Sequence, residues 1–242
     1  MSSGKKKISV TLQLEQPDAS DERARKEVRR RKIIGRIRYG TAYHSIFLED
    51  QGVAVIGMEL YNYTLAVSQD ISNFPLLPLR TRTRGPAYTL PALPPSTSDA
   101  DVDPDNESYD CVDEILSLFR ANAFFRNFEI KGPADRMLIY GILFVSECLS
   151  KVRPGMTARE AEKALINAAL DHFAIPGDVS FPLNQAFEPP RDRQDAETLR
   201  QYISQVRQEI AVRLHARLYP GGVGPSKWWL SFAKRKFMGK SL

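Results

Sequence analysis

The stretch ADRMLIYGILFVSECLSKV, residues 134–152, decides the fold, because its run from Met137 to Val145 contains no charged residue. A helix that is apolar on all sides is surrounded by other elements and does not lie on a surface. The run is also too short to cross a bilayer, which takes about 20 helical residues. Asp135 lies in the first turn, where a carboxylate favours the positive end of the helix dipole. The stretch therefore predicts a buried central helix.

Four further helices are predicted around this one, so the expected fold class is all-α, with about five helices. The first spans about 111–130, and the third opens with a capping box from Thr157 to Glu160. The fourth spans about 193–219, a rod of roughly 40 Å, and a terminal helix runs over about 226–238. The long helix has apolar residues three or four positions apart: Leu199, Ile203, Val206, Ile210, Leu214 and Leu218.

The chain is expected to have three parts. Residues 1–41 form a basic, disordered extension, residues 42–109 an irregular segment with a possible insert at 58–72, and residues 110–242 the helical domain. The prolines in the stretch from Phe74 to Leu79 break both helix and central strand. That stretch is nevertheless apolar enough to lie against the core.

The excess positive charge lies in the extension. The chain of 242 residues has a formal net charge of +5. Residues 1–41 hold twelve Lys and Arg against five Asp and Glu, while the other 201 residues hold 22 against 24. Four consecutive cations at 29–32 resemble a short phosphate-contacting patch. Nucleic-acid binding through the extension is therefore the alternative function, although the nearly neutral body argues against it as the main role.

The residues do not assemble into a catalytic, metal or cofactor site. Three histidines, His44, His172 and His215, fall on separate predicted segments without the spacing of a metal pair. The neighbouring carboxylates of Asp113 and Glu114 point about 100° apart on a helix and do not converge. The sequence therefore predicts a protein that is not an enzyme, with no cofactor and no small-molecule substrate.

Two other features have simple structural interpretations. The glycine-rich residues 221–227 resemble a phosphate loop, but a long helix precedes them, which favours a helix-to-helix turn with Ser226 as N-cap. Cys111 and Cys148 fall on apolar helices, where a free thiol behaves as a small buried hydrophobe. Two cysteines do not make a disulfide framework, so a reducing compartment, the cytoplasm, is expected.

The C-terminal segment is the candidate binding region. Residues 226–242 carry five cations and no acidic residue, together with both tryptophans of the chain. Three interpretations remain open, namely aromatic anchoring to the core, contact with a protein partner, and an amphipathic helix on a membrane surface. On a continuous helix Trp228 and Phe232 share one side, and Trp229 and Phe237 another. The candidate contact or anchor residues are Lys227, Trp228, Trp229, Phe232 and Arg235.

Several motifs in fixed order resemble one family. They are Asn122 to Ile130 (NAFFRNFEI), Ala134 to Tyr140 (ADRMLIY), Phe181 to Asn184 (FPLN), Arg207-Gln208-Glu209 and the tail from Pro225 to Leu242. Together with Ala42 to Ser45 and the proline-rich segment, they resemble the actin-related protein 2/3 complex subunit 3 family, the small p21-type subunits. The resemblance covers about 42–56 and 73–242. Residues 1–41 and 58–72 have no counterpart in it, and our hypothesis is that both are gene-model additions, which tryptic peptides from within 58–72 of the native protein would refute.

The resemblance implies a non-catalytic structural subunit of the seven-subunit complex that nucleates branched actin filaments. In that family the subunit is a helical scaffold that packs on actin-related protein 3 near the mother-filament side of the branch. The implied location is the actin cytoskeleton, without membrane insertion. No catalytic residues are implied.

Overall fold

The computed structural model describes residues 32–39, 42–48, 54–55 and 70–242, the last without 96, 99–101, 104–105, 124–127, 129, 131 and 223. The described part of the chain is mostly helical, which confirms the predicted fold class. The helices are α1 (Cys111–Asn122), α2 (Pro133–Lys151), α3 (Ala158–Leu170), α4 (Arg193–Leu218) and the short α5 (Lys227–Leu230).

Short strands accompany the helices in the described residues. They are β1 (Lys32–Tyr39), β2 (Ala42–Leu48), β3 (Ala54–Val55), β4 (Asp70–Ile71) and β5 (Phe74–Pro75). The first three form an antiparallel sheet in the order β1-β2-β3, with Tyr39 opposite Ala42. The last two form a hairpin whose turn residues, Ser72 and Asn73, have positive φ values of 59° and 51°.

The sheet was not predicted, and its first two strands lie on either side of the boundary expected between residues 41 and 42. Residues 1–31, with most of the predicted cationic patch, lie outside the described residues, as do residues 58–69 of the possible insert. The three-part organisation of the chain therefore stays a prediction.

Helix α2 is the centre of the core, as its sequence predicts. All residues from Met137 to Val145 are buried, and α1, α3 and α4 pack around them. Gly141 allows α1 to come close, because a Cβ at this position would lie only 2.6 Å from Cδ1 of Ile115. Asp135 lies in the first turn of α2, as predicted, and its Oδ2 accepts from the Gly132 N–H at 3.0 Å.

The proline-rich segment lies against this core, which confirms the prediction from its composition. Phe74, Leu77 and Leu79 are fully buried. The ring of Phe74 meets that of Tyr140 edge-on, with centroids 5.9 Å apart. The hydroxyl of Tyr202 donates to the Leu77 carbonyl at 3.0 Å and so ties the segment to α4. This apolar, proline-rich segment is therefore held by both side-chain packing and hydrogen bonds to its backbone.

The capping box and the long rod are also confirmed. The backbone N–H of Glu160 donates to Oγ1 of Thr157 at 3.3 Å, and the Thr157 N–H donates to Oε2 of Glu160 at 2.9 Å. Helix α4 has 26 residues, and all six of its predicted apolar positions are fully buried. None of the described helices combines the length and the apolar character that a membrane span requires.

Two predicted helices are too long. Helix α1 ends at Asn122 with Ala123 as its C-cap, and the described residues Phe128 and Ile130 lie outside any helix. The aromatic spacing that extended the prediction has another cause, since the Phe128 ring meets Phe237 edge-on at 5.9 Å and belongs to a tertiary contact.

The terminal helix is likewise a single turn, α5, followed by a short 3-10 turn at Phe237–Gly239. Lys236 is extended and Met238 has a positive φ of 53°, so the helix does not continue. The glycine-rich residues before it form the predicted turn. Gly221, Gly222 and Gly224 have φ between 69° and 76°, the left-handed region that glycine adopts at no steric cost. Ser226 stands at the N-cap position, but its side chain makes no capping hydrogen bond.

Candidate functional site

The C-terminal candidate residues divide into a buried pair and an exposed group. Trp229 is only 8% exposed, and its ring stacks on Phe119 of α1 with centroids 5.8 Å apart and planes 20° apart. Phe232 is 6% exposed and meets the same Phe119 ring edge-on at 5.9 Å. These two side chains anchor the terminal segment to the core. The predicted pairing of Trp228 with Phe232 is present, since their rings meet edge-on at 5.4 Å, although Phe232 is buried and Trp228 is exposed.

Trp228 leads the exposed group. It is 45% exposed, and the guanidinium of Arg120 lies 5.1 Å from its ring centroid, within the range of a cation–π contact. Lys227 and Arg235 are exposed on the same terminal segment. We call Arg120, Lys227, Trp228 and Arg235 the basic aromatic surface. The sequence did not indicate Arg120. It follows Phe119 on α1 and therefore lies beside the tryptophans when the terminal segment packs on α1.

A buried arginine cluster joins three parts of the chain. It consists of Arg80, Arg213 and Arg217 around Asp110 and Asp113. Arg213 donates to Asp110 at 2.8 Å and lies 3.0 Å from Oδ2 of Asp113. Arg80 lies 3.1 Å from the same Asp113 oxygen, and Arg217 lies 3.5 Å from Oδ1. Because Asp110 also caps α1, accepting from the Val112 N–H at 3.0 Å, the cluster fixes the start of α1 against α4.

The opposite charges of its arginines and aspartates make this cluster tenable in the interior. Arg213 is 1% exposed and Asp110 is fully buried. Burial alone would lower the pKa of the Arg213 guanidinium, but the carboxylates of Asp110 and Asp113 raise it above its ordinary value, so the group stays charged. Sequence periodicity does not reveal such a cluster, because it marks only apolar positions.

A second buried arginine binds backbone carbonyls at the C-terminal end of α3. Arg207 donates to the Ala168 carbonyl at 2.7 Å and to the Tyr140 hydroxyl at 3.2 Å. Its guanidinium lies 4.1 Å from the ring centroid of Phe144 and 4.6 Å from that of Phe173. A cation at a helix C-terminus satisfies free carbonyls and favours the helix dipole. Arg207 is therefore a structural residue that ties α3 to α4 and α2.

The described titratable groups outside these clusters form no reaction centre. Cys111 and Cys148 are fully buried, as predicted, and burial raises the pKa of both thiols. His215 stacks on Tyr219, and its Nε2 lies 2.9 Å from the Ala158 carbonyl oxygen. His172 is exposed and His44 is among the residues whose side chains are not described. Among the described residues, no group of three metal-ligating side chains converges.

An open groove of about 1040 Å³ runs beside α3 and the turn that precedes it. Its lining mixes the cations Lys151 and Arg153 with the carboxylates of Glu160 and Asp171, and it contains neither histidine nor cysteine. These side chains belong to the helix ends and the connecting turn. The groove is therefore a surface depression of mixed charge without an evident nucleophile and base.

Glu114 predicts a specific pH dependence. Burial, and then the nearby Asp135 carboxylate, raise its pKa from 4.5 to about 8. The folded chain therefore keeps this proton where the unfolded chain has lost it, and stability falls as the pH rises from about 4.5 to about 8. The Glu114→Gln variant cannot titrate at this position, so it should not lose stability over this pH range. In urea unfolding, its free energy of unfolding relative to wild type should rise by up to about 1.4 kcal/mol per pH unit across that window. The same difference at pH 5 and at pH 8 would contradict the assignment.

These features define a helical scaffold protein. Its helices are held together by buried ionic clusters, and it exposes the basic aromatic surface. Residues 41–242 match the family described as P21-Arc, the ARP2/3 complex ARPC3 (21 kDa) subunit. The chain belongs to this family.

Individual relatives agree with the match. Actin-related protein 2/3 complex subunit 3 of Schizosaccharomyces pombe is 48% identical over 202 residues, which covers 83% of this chain and 99% of the relative. The protein of the same name from Saccharomyces cerevisiae is 46% identical over 193 residues, covering 76% of this chain and all of the relative. The Arabidopsis thaliana protein of that name is 37% identical over 196 residues, covering 81% and 96%.

Proposed function

We propose that this chain is a non-catalytic structural subunit of the actin-related protein 2/3 complex, supporting assembly of the complex and nucleation of branched actin filaments. The observation that carries the proposal is the family match over residues 41–242, with relatives named as subunit 3 of that complex. The architecture suits a scaffold, because α1, α2 and α4 are fixed to one another by packing and by the buried arginine cluster. Such a body presents its surfaces in a constant geometry. The protein would act in the cytoplasm, at the actin cytoskeleton.

Within the complex, the subunit is proposed to pack on actin-related protein 3. It would lie near the side of the branch that faces the mother filament. The basic aromatic surface is the proposed contact with actin-related protein 3. Tryptophan and arginine are the residue types most enriched at interface hot spots, and Trp228 is half-exposed beside Arg120. Lys227 and Arg235 add charge around it. Trp229 and Phe232 would act indirectly, by holding the segment on α1.

Affinity purification of the tagged full-length chain from its own cells tests the proposal. Mass spectrometry is expected to recover two actin-related proteins and the other subunits of the complex. Recovery of RNA-binding proteins alone, together with peptides from residues 1–41, would overturn it in favour of the basic extension. The same peptides would test whether residues 58–72 are present.

The contact surface can be tested by a double substitution. Lys227→Glu with Trp228→Ala is expected to reduce incorporation of the chain into the complex several-fold, since both side chains are exposed on the proposed interface. Stability should change by only about 1 kcal/mol, because exposed positions contribute little to folding. Quantitative mass spectrometry of the purified complex measures incorporation, and a melting curve of the chain measures stability.

A matched control lies on α3. Lys163→Glu with Leu170→Ala also reverses one exposed cation and truncates one exposed apolar side chain. Normal incorporation of both double variants would remove the C-terminal surface from the proposed interface. Equal loss in both would point to a general effect of surface charge.

A further inference from the structure

Three groups surround the exposed ring of Trp228. The Trp229 ring meets it edge-on with centroids 5.2 Å apart, and the Phe232 ring meets it edge-on at 5.4 Å. Both neighbours are buried against Phe119, so the core fixes them. The guanidinium of Arg120 is the third group, 5.1 Å from the ring centroid. Contacts therefore set the orientation of a ring that is 45% exposed.

Arg120 uses its charge differently from the arginines of the buried cluster. Arg80, Arg213 and Arg217 pair with carboxylates. No ion pair between described residues includes Arg120, and its guanidinium lies over an indole ring. Among aromatic side chains, tryptophan attracts a cation to its face most strongly. The described contacts of Arg120 therefore indicate a role toward the ring.

The contact joins a short element to a rigid one. Trp228 lies on α5, a helix of four residues, and a single helical turn has little stability of its own. Arg120 lies in the last turn of α1, next to the fully buried Phe119. The guanidinium is therefore attached to a fixed helix, through which α1 restrains the ring.

We propose that Arg120 is a positioning residue, which holds the Trp228 ring in the orientation that the partner binds. This inference rests on the proposed function, in which the basic aromatic surface contacts actin-related protein 3. A side chain that is restrained before binding loses less entropy on association. Arg120 contributes to the contact through Trp228 and not through a charge pair of its own.

NMR relaxation of the full-length chain tests the restraint. The chain has two tryptophans, so two indole N–H signals are expected, and Trp228→Phe assigns them by the signal that it removes. In Arg120→Ala, the Trp228 indole should become more mobile on the picosecond to nanosecond timescale, while the buried Trp229 indole keeps its wild-type value. Arg120→Lys should restore part of the rigidity, because an ammonium attracts the ring face but lacks the planar group that stacks on it. An unchanged Trp228 signal in Arg120→Ala would overturn the proposal.

A double-mutant cycle in the assembled complex tests whether Arg120 acts through the ring. Arg120→Ala alone should lower incorporation of the chain about two- to fivefold, the factor that corresponds to one exposed cation–π contact. In a Trp228→Ala background, the same substitution should have no further effect, since the ring through which it acts is absent. Normal incorporation of Arg120→Ala would overturn the positioning role. So would independent losses that multiply, which would assign Arg120 a partner contact of its own.

Lys151→Ala is the matched control, because it removes an exposed cation from the last turn of α2. A cation at a helix C-terminus favours the helix dipole, so this variant reproduces the loss of helix-end charge. It should leave the Trp228 signal and incorporation at their wild-type values. The same changes as in Arg120→Ala would assign the effect to helix-end charge and overturn the positioning role. Normal incorporation of Trp228→Ala alone would instead overturn the proposed contact with actin-related protein 3.

Discussion

Replacing Arg213 with leucine is expected to lower the free energy of unfolding by about 3–5 kcal/mol, because the carboxylates of Asp110 and Asp113 would stay buried without their main counter-ion. The loss has a second component. Arg213 also donates to the Arg80 carbonyl at 2.6 Å, so the segment around Arg80 and the N-terminus of α1 would both lose a contact with α4. Urea unfolding of the purified chain measures the difference.

The same helix offers a control for the Arg213 prediction. Arg200 makes a half-exposed ion pair with Asp178 at 3.6 Å, and Arg200→Leu should cost no more than about 1 kcal/mol. The deficit of the Arg213 variant should shrink as the pH falls, because burial raises the pKa of Asp113 and the variant lacks the Arg213 charge that lowers it. Equal costs for the two variants would mean that the buried cluster contributes no more than a surface pair.

Replacing Trp229 with alanine is expected to cost about 3–5 kcal/mol of unfolding free energy. The ring is buried, stacks on Phe119 and meets Trp228 edge-on at 5.2 Å, so truncation leaves a cavity beside α1. The neighbouring tryptophan is the control. Trp228→Ala removes a half-exposed ring and should cost far less, on the order of 1 kcal/mol.

Melting curves of the two tryptophan variants distinguish an anchor from a contact. A large loss for Trp229→Ala, with a small one for Trp228→Ala, assigns the buried ring to folding and leaves the exposed ring for partner binding. Similar melting temperatures for wild type and Trp229→Ala would show that the terminal segment is not anchored through this ring. Phe232→Ala should follow Trp229→Ala, since both rings contact Phe119.

Helical periodicity located the regular elements because burial of one helix face repeats every three to four residues. It placed α2 and α4 within one residue of their observed ends, and the capping box placed the start of α3. The same rule overextended α1, since Phe128 continues the spacing while its ring packs on Phe237. Periodicity does not distinguish an aromatic residue on a helix face from one that reaches a distant segment.

The candidate site was predicted only in part. Composition alone singled out the terminal segment, because both tryptophans and five basic residues, with no acidic residue, are concentrated there. Which tryptophan is buried depended on α1, whose Phe119 covers Trp229 while Arg120 reaches Trp228. Neighbours separated by more than 100 positions are not encoded in a local pattern.

From the sequence alone follow the helical class, the buried central helix and, through ordered motifs, the family. Each depends on local spacing or on residue identity in a fixed order. The tertiary structure alone decided how the charges are used. Arg213 is buried against Asp110, whereas Arg82 and Arg84 are exposed. Gln205 is buried, and its Oε1 accepts from the Ala87 N–H. Charged and amide side chains are stable in the interior only where distant partners satisfy them, and those partners meet only when the chain folds.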